Sequence, residues 1–324
     1  MTIMKNILVT GGFGFIGFNA LLEWPKKMPD CKFVNVDIET YAAQFKLKEK
    51  KKILKNLGVK SYKKDICDRK AIEKIVVDNE IDTIVNFGAE SHVDRSITGP
   101  KVFFDTNVMG VVNLLGVCKK YGCRLHQVST DEVIGAIAPE MNVDSTENAK
   151  LDPSSPYSSS KAAAELIINS YVKTFGIKAT ISRCTNNVGE WQYSEKLVPK
   201  TILNALSNKK IPVYGDGKQR RFWIDVKSHN DALLEILRFG TLGETYNIAP
   251  CKENLLENIV IVKKILDGVN KPEKLIVHVK DRAAHDVCYW LDASKIEKEL
   301  EWVDNRTFEE TLARTIEWYK KECK

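Results

Sequence analysis

Residues 7–17 read Ile-Leu-Val-Thr-Gly-Gly-Phe-Gly-Phe-Ile-Gly, an apolar strand followed by a glycine-rich turn and the start of a helical pattern. Glycine permits a tight turn and a close approach to the backbone, and the first amides of a helix attract an anion. The motif G-x-G-x-x-G stands here in the strand–turn–helix setting that it needs. It predicts that the turn holds the diphosphate of a dinucleotide, through Gly11, Gly14, Phe15, Ile16 and Gly17.

Asp37 ends the second apolar run, twenty residues after Gly17. A carboxylate at this place accepts hydrogen bonds from ribose hydroxyls and repels a 2′-phosphate. Because Ile38 and Glu39 follow it, rather than a basic residue, the sequence favours NAD over NADP. The other predicted cofactor contacts follow the third and fourth strands: Asp65 and Ile66 at the adenine, and Phe87 and Ala89 beneath the cofactor.

Short apolar runs alternate with helical patterns through the first half of the chain. The runs are 7–10, 33–36, 83–87, 125–129 and 179–183, and the helical patterns include 69–79, 102–121 and 158–175. Continuous apolar strands separated by helices predict a parallel sheet that is covered on both faces. Right-handed crossovers then give a doubly wound Rossmann sheet of the α/β class.

The alternation stops after about residue 184. Turn-forming segments appear at 214–217 and 249–251, and helical patterns return at 228–239, 255–266 and 308–322. We therefore predict an NAD-binding Rossmann domain over residues 1–183, with a returning segment at about 222–240. A smaller C-terminal α/β part, mainly residues 184–324, would bind the substrate.

The composition is ordinary for a globular protein: 324 residues, 44% hydrophobic and 28% charged, with a net charge of +6. Nine lysines between Lys46 and Lys64 supply much of the basic excess. They could form a nucleic-acid patch. The interleaved leucines and isoleucines, with no arginine or aromatic pattern, favour a solvated amphipathic helix instead.

Cysteine and histidine usage points to a reducing compartment. The eight cysteines include no Cys-x-x-Cys pair and the five histidines are scattered, so we expect free thiols and no metal site. No continuous apolar run reaches the ~18 residues of a membrane helix. Residues 1–6 run straight into the first strand, without the features of a signal peptide. We expect a cytoplasmic protein whose partners include neither a membrane nor a nucleic acid.

Two short motifs carry possible chemistry. Tyr157 and Lys161 are four residues apart and share a helix face. An ammonium beside a phenol lowers the pKa of the phenol, and a phenolate held over a nicotinamide can deprotonate an alcohol as hydride leaves. Thr130-Asp131-Glu132 follows the strand 125–129, where the two carboxylates could act as an acid and a base. Taken singly, the first motif also arises by chance in helices, and the second fits a solvated acidic turn.

Further motifs give the chain a resemblance to a known family. They are 10–17, 89–97 (Ala-Glu-Ser-His-Val-Asp-Arg-Ser-Ile), 129–133, 155–157 with Lys161, Asn186-Asn187, 195–199 (Glu-Lys-Leu-Val-Pro), 243–248 (Gly-Glu-Thr-Tyr-Asn-Ile) and Asp281-Arg282. Nearly end to end, the chain resembles the nucleotide-sugar 4,6-dehydratases of the extended short-chain dehydrogenase/reductase superfamily. Those enzymes act on dTDP-glucose or UDP-glucose.

The resemblance implies a role for each residue of the predicted site. Tyr157 would deprotonate the glucose O4 while NAD takes hydride from C4. Glu132 would then remove the C5 proton, and Asp131 would protonate the departing C6 hydroxyl. Hydride would return to C6, so that NAD stays bound and a 4-keto-6-deoxy sugar nucleotide forms, as in deoxysugar (rhamnose) biosynthesis. Thr130 would hydrogen-bond O4, Lys161 would also hold the nicotinamide ribose, and Thr106 is a further cofactor contact. The implied substrate contacts are Ser91, His92, Thr130, Asn186, Lys196, Leu197, Tyr214, Arg221, Asn247, Arg282 and His285.

The chain departs from the family pattern at three places near the substrate. Ile134 replaces a usual Tyr, Val188-Gly189-Glu190 a usual Tyr-Gly-Pro, and Ala283-Ala284 a usual Pro-Gly. Because these residues shape the pocket, the choice between dTDP and UDP stays open.

Two other functions also stay open. A 4-epimerase would share the cofactor site but would not require the Asp131-Glu132 pair. A non-catalytic NAD-binding scaffold would be expected to lack Tyr157 or Lys161. The helices 102–121 and 158–175 resemble those that pair in dimers of the superfamily, so we expect a homodimer.

Overall fold

The computed structural model describes residues 4–141, 143, 145–281 and 285–322. Its strands are β1 (Asn6–Thr10), β2 (Lys32–Asp37), β3 (Lys60–Lys63), β4 (Thr83–Asn86), β5 (Arg124–Val128), β6 (Ala179–Cys184), β7 (Asn186–Val188), β8 (Ile211–Tyr214), β9 (Arg220–Asp225), β10 (Thr245–Ile248), β11 (Leu255–Glu257) and β12 (Ile276–Val279). Seven of them form one parallel sheet in the order β10-β6-β5-β4-β1-β2-β3. The predicted α/β class and doubly wound parallel sheet are confirmed.

Helices cover both faces of this sheet. The α-helices are α1 (Phe15–Lys27), α2 (Leu47–Asn56), α3 (Arg69–Asp78), α4 (Val93–Thr98), α5 (Lys101–Phe104), α6 (Gly110–Tyr121), α7 (Pro156–Phe175), α8 (Leu197–Leu206), α9 (Val226–Phe239), α10 (Asn258–Gly268), α11 (Ser294–Leu300) and α12 (Phe308–Glu322). Alternate residues of each buried strand face opposite ways. In β1, Ile7 and Val9 therefore pack with α1 and α9, whereas Leu8 packs with α3, α6 and α7.

The helix predicted over 102–121 is continuous from α5 to α6 but contains a π-helical segment, Asp105–Met109. Within it, the buried Asn107 amide donates to the Glu90 carbonyl (3.0 Å) and to Ser160 Oγ (2.9 Å) and accepts from the Glu90 amide (2.9 Å). A π-bulge of this kind re-aims side chains locally. It ties the segment after β4 to helix α7, which carries the predicted catalytic pair.

Residues 101–121 also form the one described helix whose length and composition would allow it to cross a membrane. Core helices pass the same test, and 44% of its apolar window is buried within the protein. It packs against α7 and α3 beside the parallel sheet. This packing accounts for the buried part of its apolar side chains.

Helix α7 shows why the chain turns helical where it does. Ser155 and Ser158 form a capping box, in which each side chain pairs with the other residue's backbone amide. Pro156 occupies the first turn, where its missing N–H costs nothing. Gly176 ends the helix with a left-handed φ of +65°.

Two sequence predictions were wrong in detail. The lysine-rich stretch is not one solvated helix: α2 ends at Asn56, and 60–63 form the edge strand β3, whose polar sequence gave no apolar signal. Lys50 of α2 is fully buried rather than solvated. The helix expected from Leu255 begins three residues later, because 255–257 pair with β9 as strand β11.

The C-terminal residues build a smaller α/β layer on small sheets ordered β11-β9-β7 and β12-β8. Its apolar core is shared by α8, α10 and α12. Strand β10 and helix α9 return to the large sheet, next to β6. The predicted division at residue 183, with its returning segment at about 222–240, stays a prediction.

Candidate active site

The glycine turn between β1 and α1 is closed by its own backbone. Gly11 donates its amide to Val36 O (2.8 Å) and accepts from the Gly14 amide (2.9 Å). Its φ of +69° suits glycine, and a Cβ on Gly17 would lie only 2.7 Å from Gly11 O. The space against the first turn of α1 is therefore kept free of side chains. A helix N-terminus left open in this way fits the diphosphate of a dinucleotide.

Asp37 lies beside the turn and is already bonded on both oxygens. Its Oδ2 accepts from the Phe13 amide (2.9 Å) and its Oδ1 from the Glu39 amide (2.7 Å). Burial is the largest influence on its carboxyl and raises the pKa, while the two amides lower it. The carboxylate keeps lone pairs for ribose hydroxyls, and nothing cationic stands at Ile38, in keeping with NAD.

The other predicted cofactor contacts lie along the same edge of the sheet. Asp65 accepts from the Cys67 amide (2.8 Å), and Ile66 is buried against Gly110. Phe87 follows β4, with its ring 5.9 Å from that of Trp24. Ala89 is half-buried, and Thr106 lies in the π-helical segment. Apart from Thr106, the structure thus places the predicted residues at the carboxyl ends of neighbouring strands.

The acidic pair stands on a 3₁₀ helix, Asp131–Ile134, directly after β5. Thr130 caps it by accepting from the Glu132 amide (3.3 Å) and donates to Asp131 Oδ1 (3.0 Å). Asp131 is only 2% exposed, and its Oδ2 has no hydrogen-bond partner among the described residues. Burial and then the charge of Glu132 raise the pKa of Asp131 to about 7, against the opposing pull of Arg221. A solvated acidic turn is excluded for Asp131.

Tyr157 faces this acidic pair from the first turn of α7. Its phenol is buried and interacts with the Thr130 hydroxyl, and Phe103 contacts its ring edge-to-face at 6.4 Å. Burial, followed by the charge of Glu132, raises the pKa of Tyr157 well above its ordinary value. The expected lowering by Lys161 was wrong for the protein by itself, because the Lys161 ammonium donates instead to Val128 O (2.7 Å). Burial also lowers the pKa of Lys161 to about 8.

On the substrate side, Arg221 is buried and held by backbone. It donates to Asp286 O (2.8 Å) and Arg220 O (2.7 Å), and its guanidinium lies 4.2 Å from the centre of the Tyr289 ring. It influences the pKa of Asp131, so this cation lies close to the acidic pair. A planar cation fixed beside carboxylates suits an anionic substrate.

A second group of predicted substrate contacts lies where α4 faces α8. Lys196 donates to Ser91 O (2.9 Å), and His92 Nε2 is 3.6 Å from Glu195 Oε2. Burial lowers the pKa of His92. Leu197 begins α8 and Asn186 begins β7. These residues belong to different elements, and two of them, Lys196 and Ser91, are joined directly by a hydrogen bond.

The remaining predicted contacts are placed less directly. The Tyr214 hydroxyl donates to Asp94 Oδ2 (3.1 Å), and its ring meets that of His285 edge-to-face at 6.1 Å. Asn247 is fully buried and its amide donates to Ser145 O and Asp292 O, each at 3.0 Å, so it braces the segment after the acidic pair. Arg282 lies outside the described residues.

Sequence reasoning missed three residues at the site. Cys184 ends β6, fully enclosed, and its thiol contributes to the pKa values of Tyr157 and Lys161. Tyr289 lies under Arg221 and donates to Asp286 Oδ2 (2.7 Å). Lys50 reaches the glycine turn from α2. Only Cys184 carried a usable signal, its place at the carboxyl end of a central strand.

Together the side chains offer an acid with a retained proton, a carboxylate, a phenol and a fixed cation beside a dinucleotide cradle. The sequence profile of the family described as GDP-mannose 4,6 dehydratase matches residues 8–315. The dTDP-glucose 4,6-dehydratase of Escherichia coli is 40% identical over 97% of this chain and 93% of its own length. That of Haemophilus influenzae is 40% identical over 98% of each.

Solved structures agree with the sequence relatives. DesIV, a dTDP-glucose 4,6-dehydratase from Streptomyces venezuelae crystallised with NAD, superposes with a TM-score of 0.90 at 35% identity over 98% of both chains. The dTDP-glucose 4,6-dehydratase of Bacillus anthracis, in complex with NAD, gives 0.89 at 39% identity over 98% of this chain and 97% of its own. A UDP-glucose 4-epimerase from Thermotoga maritima also gives 0.89, at 23% identity, which shows the shared fold alone. Profile, relatives and geometry agree, and the chain belongs to the family of nucleotide-sugar 4,6-dehydratases.

Proposed function

We propose that this protein dehydrates dTDP-glucose to the 4-keto-6-deoxy sugar nucleotide, with NAD as a resident cofactor. The observation that carries the proposal is the buried Asp131, with a pKa of about 7 and an unpartnered Oδ2, next to Glu132 and Tyr157. A dehydratase needs a proton donor for the leaving hydroxyl as well as a base. The relatives at about 40% identity favour dTDP over UDP as the nucleotide.

NAD would be held by the glycine turn at its diphosphate, by Asp37 at the adenosine ribose, and by Tyr157 and Lys161 at the nicotinamide end. When bound, it supplies an oxidised, cationic ring that accepts a hydride from the sugar C4 and returns it to C6. Positive charge brought beside Tyr157 favours the phenolate. Tyr157, whose pKa is raised by burial and by Glu132, would therefore give up its proton more readily with that positive charge beside it.

Tyr157 takes the proton of the C4 hydroxyl as C4 is oxidised to a ketone. The ketone acidifies the neighbouring C5 hydrogen, and Glu132 removes that proton. Asp131, protonated up to about neutral pH, gives its proton to the C6 hydroxyl, which leaves as water. The C4 hydride ends on C6, and C5 regains a proton from Glu132 that has exchanged with solvent, so the net change is the loss of one water. The proton that Tyr157 gains balances the one that Asp131 gives up.

The anionic diphosphate of the substrate would lie against cations that the fold already holds in place. Arg221 is fixed by two backbone carbonyls, and Lys196 is bonded to Ser91 O. Arginine offers paired donors to phosphate oxygens, and lysine a point charge. Each would exchange or share its present partner when the substrate binds.

The test of the reaction is direct. Purified protein with dTDP-glucose should form a keto sugar that absorbs in alkali, without net NADH, and one solvent deuterium should enter at C5 in D₂O. UDP-glucose measured beside it reports the nucleotide preference, and a higher kcat/KM for it would overturn the choice of dTDP. Formation of the galactose epimer instead would establish a 4-epimerase, and absence of any product would favour a scaffold.

One substitution, Glu132→Gln, distinguishes the role of Glu132 as a base from any role in binding the substrate. Glu132→Gln keeps size and hydrogen bonding but removes the base, so it should abolish C5 exchange while dTDP-glucose still binds. The measurement is deuterium content at C5 by mass spectrometry, with Glu297→Gln on α11 as a remote control. Undiminished exchange in Glu132→Gln would take this residue out of the mechanism.

We propose further that the protein is a cytoplasmic homodimer acting in deoxysugar biosynthesis, such as that of rhamnose. Apolar side chains are exposed on the segment α5 to α6 and on α7, namely Val102, Phe104, Met109, Leu166 and Phe175. Pairing of these helices between two copies would cover them. Light scattering at micromolar concentration should give twice the 36.7 kDa chain mass, and the mass of one chain would refute the dimer.

A further inference from the structure

Lys50 stands apart from the other lysines of its helix. Lys48, Lys51 and Lys52 are exposed, whereas Lys50 is 0% exposed. Its Nζ donates to Phe13 O in the glycine turn (2.8 Å) and lies 5.3 Å from the centre of the Phe18 ring. A buried ammonium costs several kcal/mol of desolvation unless it is well paired, so this placement calls for a reason.

The carbonyl that Lys50 contacts belongs to the peptide that precedes helix α1. The N–H of that peptide, on Gly14, is bonded to Gly11 O (2.9 Å), so with Lys50 on the oxygen the peptide is fixed at both ends. The preceding peptide is held as well, since the Phe13 amide donates to Asp37 Oδ2 (2.9 Å). Two consecutive peptide planes of the turn thus have their orientation set by the side chains of Lys50 and Asp37.

This orientation matters for an anion. The first amides of α1 have no partners within the helix and are the groups offered to a diphosphate. A carbonyl oxygen turned toward the same place would repel that anion. Lys50 binds the Phe13 oxygen from the α2 side and so keeps it occupied.

The same ammonium acts on the adenosine end of the cradle. Lys50 and Asp37 interact electrostatically, each favouring the charged form of the other, although burial still lowers the pKa of Lys50 to about 8. The next acid, Glu39, is paired on the same helix by Lys51 (2.6 Å). Helix α2 therefore sets two cations against the two acids at the carboxyl end of β2, Asp37 and Glu39.

We propose that Lys50 is a positioning residue for the dinucleotide: by holding the Phe13 carbonyl and balancing Asp37, it sets how tightly the cofactor is retained. The inference rests on the proposed role of NAD as resident cofactor. It does not depend on the identity of the sugar nucleotide. Lysine packed at this position for structural reasons alone would leave NAD affinity untouched when an apolar side chain of similar length replaces it.

The test compares Lys50→Met with Lys52→Met, which removes the same charge from an exposed position of the same helix. The readouts are NAD content after purification, Kd for NAD of the stripped protein by calorimetry, and Tm without NAD. We expect Lys50→Met to weaken NAD binding at least tenfold, and its Tm without NAD reports whether the variant is folded. Lys52→Met should match the wild type in all three, and wild-type NAD affinity in a folded Lys50→Met would overturn the proposal.

Lys50→Met leaves Asp37 without its cation, so a second pair of variants covers the case in which it does not fold. This pair is Asp37→Asn alone and Asp37→Asn combined with Lys50→Met, in which that charge is absent. The proposal expects the double variant to bind NAD at least threefold more weakly than Asp37→Asn, because the Phe13 carbonyl still loses its donor. Equal NAD affinities of these two variants would refute the proposal. A wild-type protein that binds NAD but forms no keto sugar from dTDP-glucose would instead contradict the proposed sugar chemistry.

Discussion

The two ends of the active site differ in how their polar groups are satisfied. At the cofactor end, the glycine turn, Asp37 and Lys50 bond to one another, and their described side chains have no buried polar atom without a partner. At the catalytic end, the buried side-chain oxygens of Ser129, Asp131 and Thr185, which follows Cys184, have no hydrogen-bond partner in the part of the chain that the structure describes. The first region is complete in itself, and the second is not.

The difference shows where the protein leaves buried polar groups unpaired for the sake of function. An unpaired buried polar group costs roughly 1–3 kcal/mol, and native proteins tolerate it mainly where function requires it. The side chains of the cofactor end can be paired before NAD binds, because the diphosphate is bound by backbone amides at the start of α1 and not by those side chains. The catalytic end must stay incomplete, since its acid and base have to act on a substrate that arrives later.

The largest effect is expected from a substitution that impairs the catalytic end alone. Asp131→Asn removes the proton donor but keeps the shape, so kcat should fall by about 10²–10⁴ while NAD content stays that of the wild type. In the wild type, kcat/KM should decline as pH rises through about 7, where Asp131 loses its proton. Steady-state rates across pH 5–9 measure both. Loss of NAD together with activity would show that the two ends are not separable.

A smaller effect is expected from breaking the cofactor end. In Gly17→Ala the new Cβ would lie 2.7 Å from Gly11 O, a backbone atom, so the turn has to shift. We expect a loss of about 1–3 kcal/mol in the free energy of unfolding, with weaker NAD binding. Gly99→Ala is the control, because its Cβ meets nothing nearer than 3.8 Å. Denaturant titration measures the free energy of unfolding of both variants, and equal values for Gly17→Ala and Gly99→Ala would contradict the steric argument.

The smallest effect concerns stability at the catalytic end. The pKa of Asp131 rises on folding from 3.8 to about 7, so its contribution to stability is full below pH 4 and is lost as pH rises toward 7. Asparagine carries no such penalty. Asp131→Asn should therefore raise Tm relative to the wild type by at least about 2 °C at pH 8, and by less at pH 5. A Tm difference that does not change with pH would contradict the assigned protonation.

Much of the fold and site could be predicted because the relevant signals are local. The strand and turn of residues 7–17 lie next to each other in the chain, and so do Thr130, Asp131 and Glu132. Lys50 could not be predicted, since its helix has exposed lysines on both sides and its partner, Phe13, is 37 residues away. A third strand was expected before Asp65, but its bounds gave no apolar signal, because β3 is polar and pairs with β2 at the sheet edge.

The sequence by itself determined the alternation of strands and helices, the cradle for the dinucleotide and the identity of the acidic pair, since each depends on residue type and short spacing. Tertiary structure alone decided which ionisable groups meet. It buried Asp131 beside Glu132 and Arg221, turned Lys161 toward Val128 O, and brought Lys50 under the glycine turn. The physical reason is that desolvation and charge–charge distances arise from elements far apart in the chain, and they set the pKa values on which the chemistry depends.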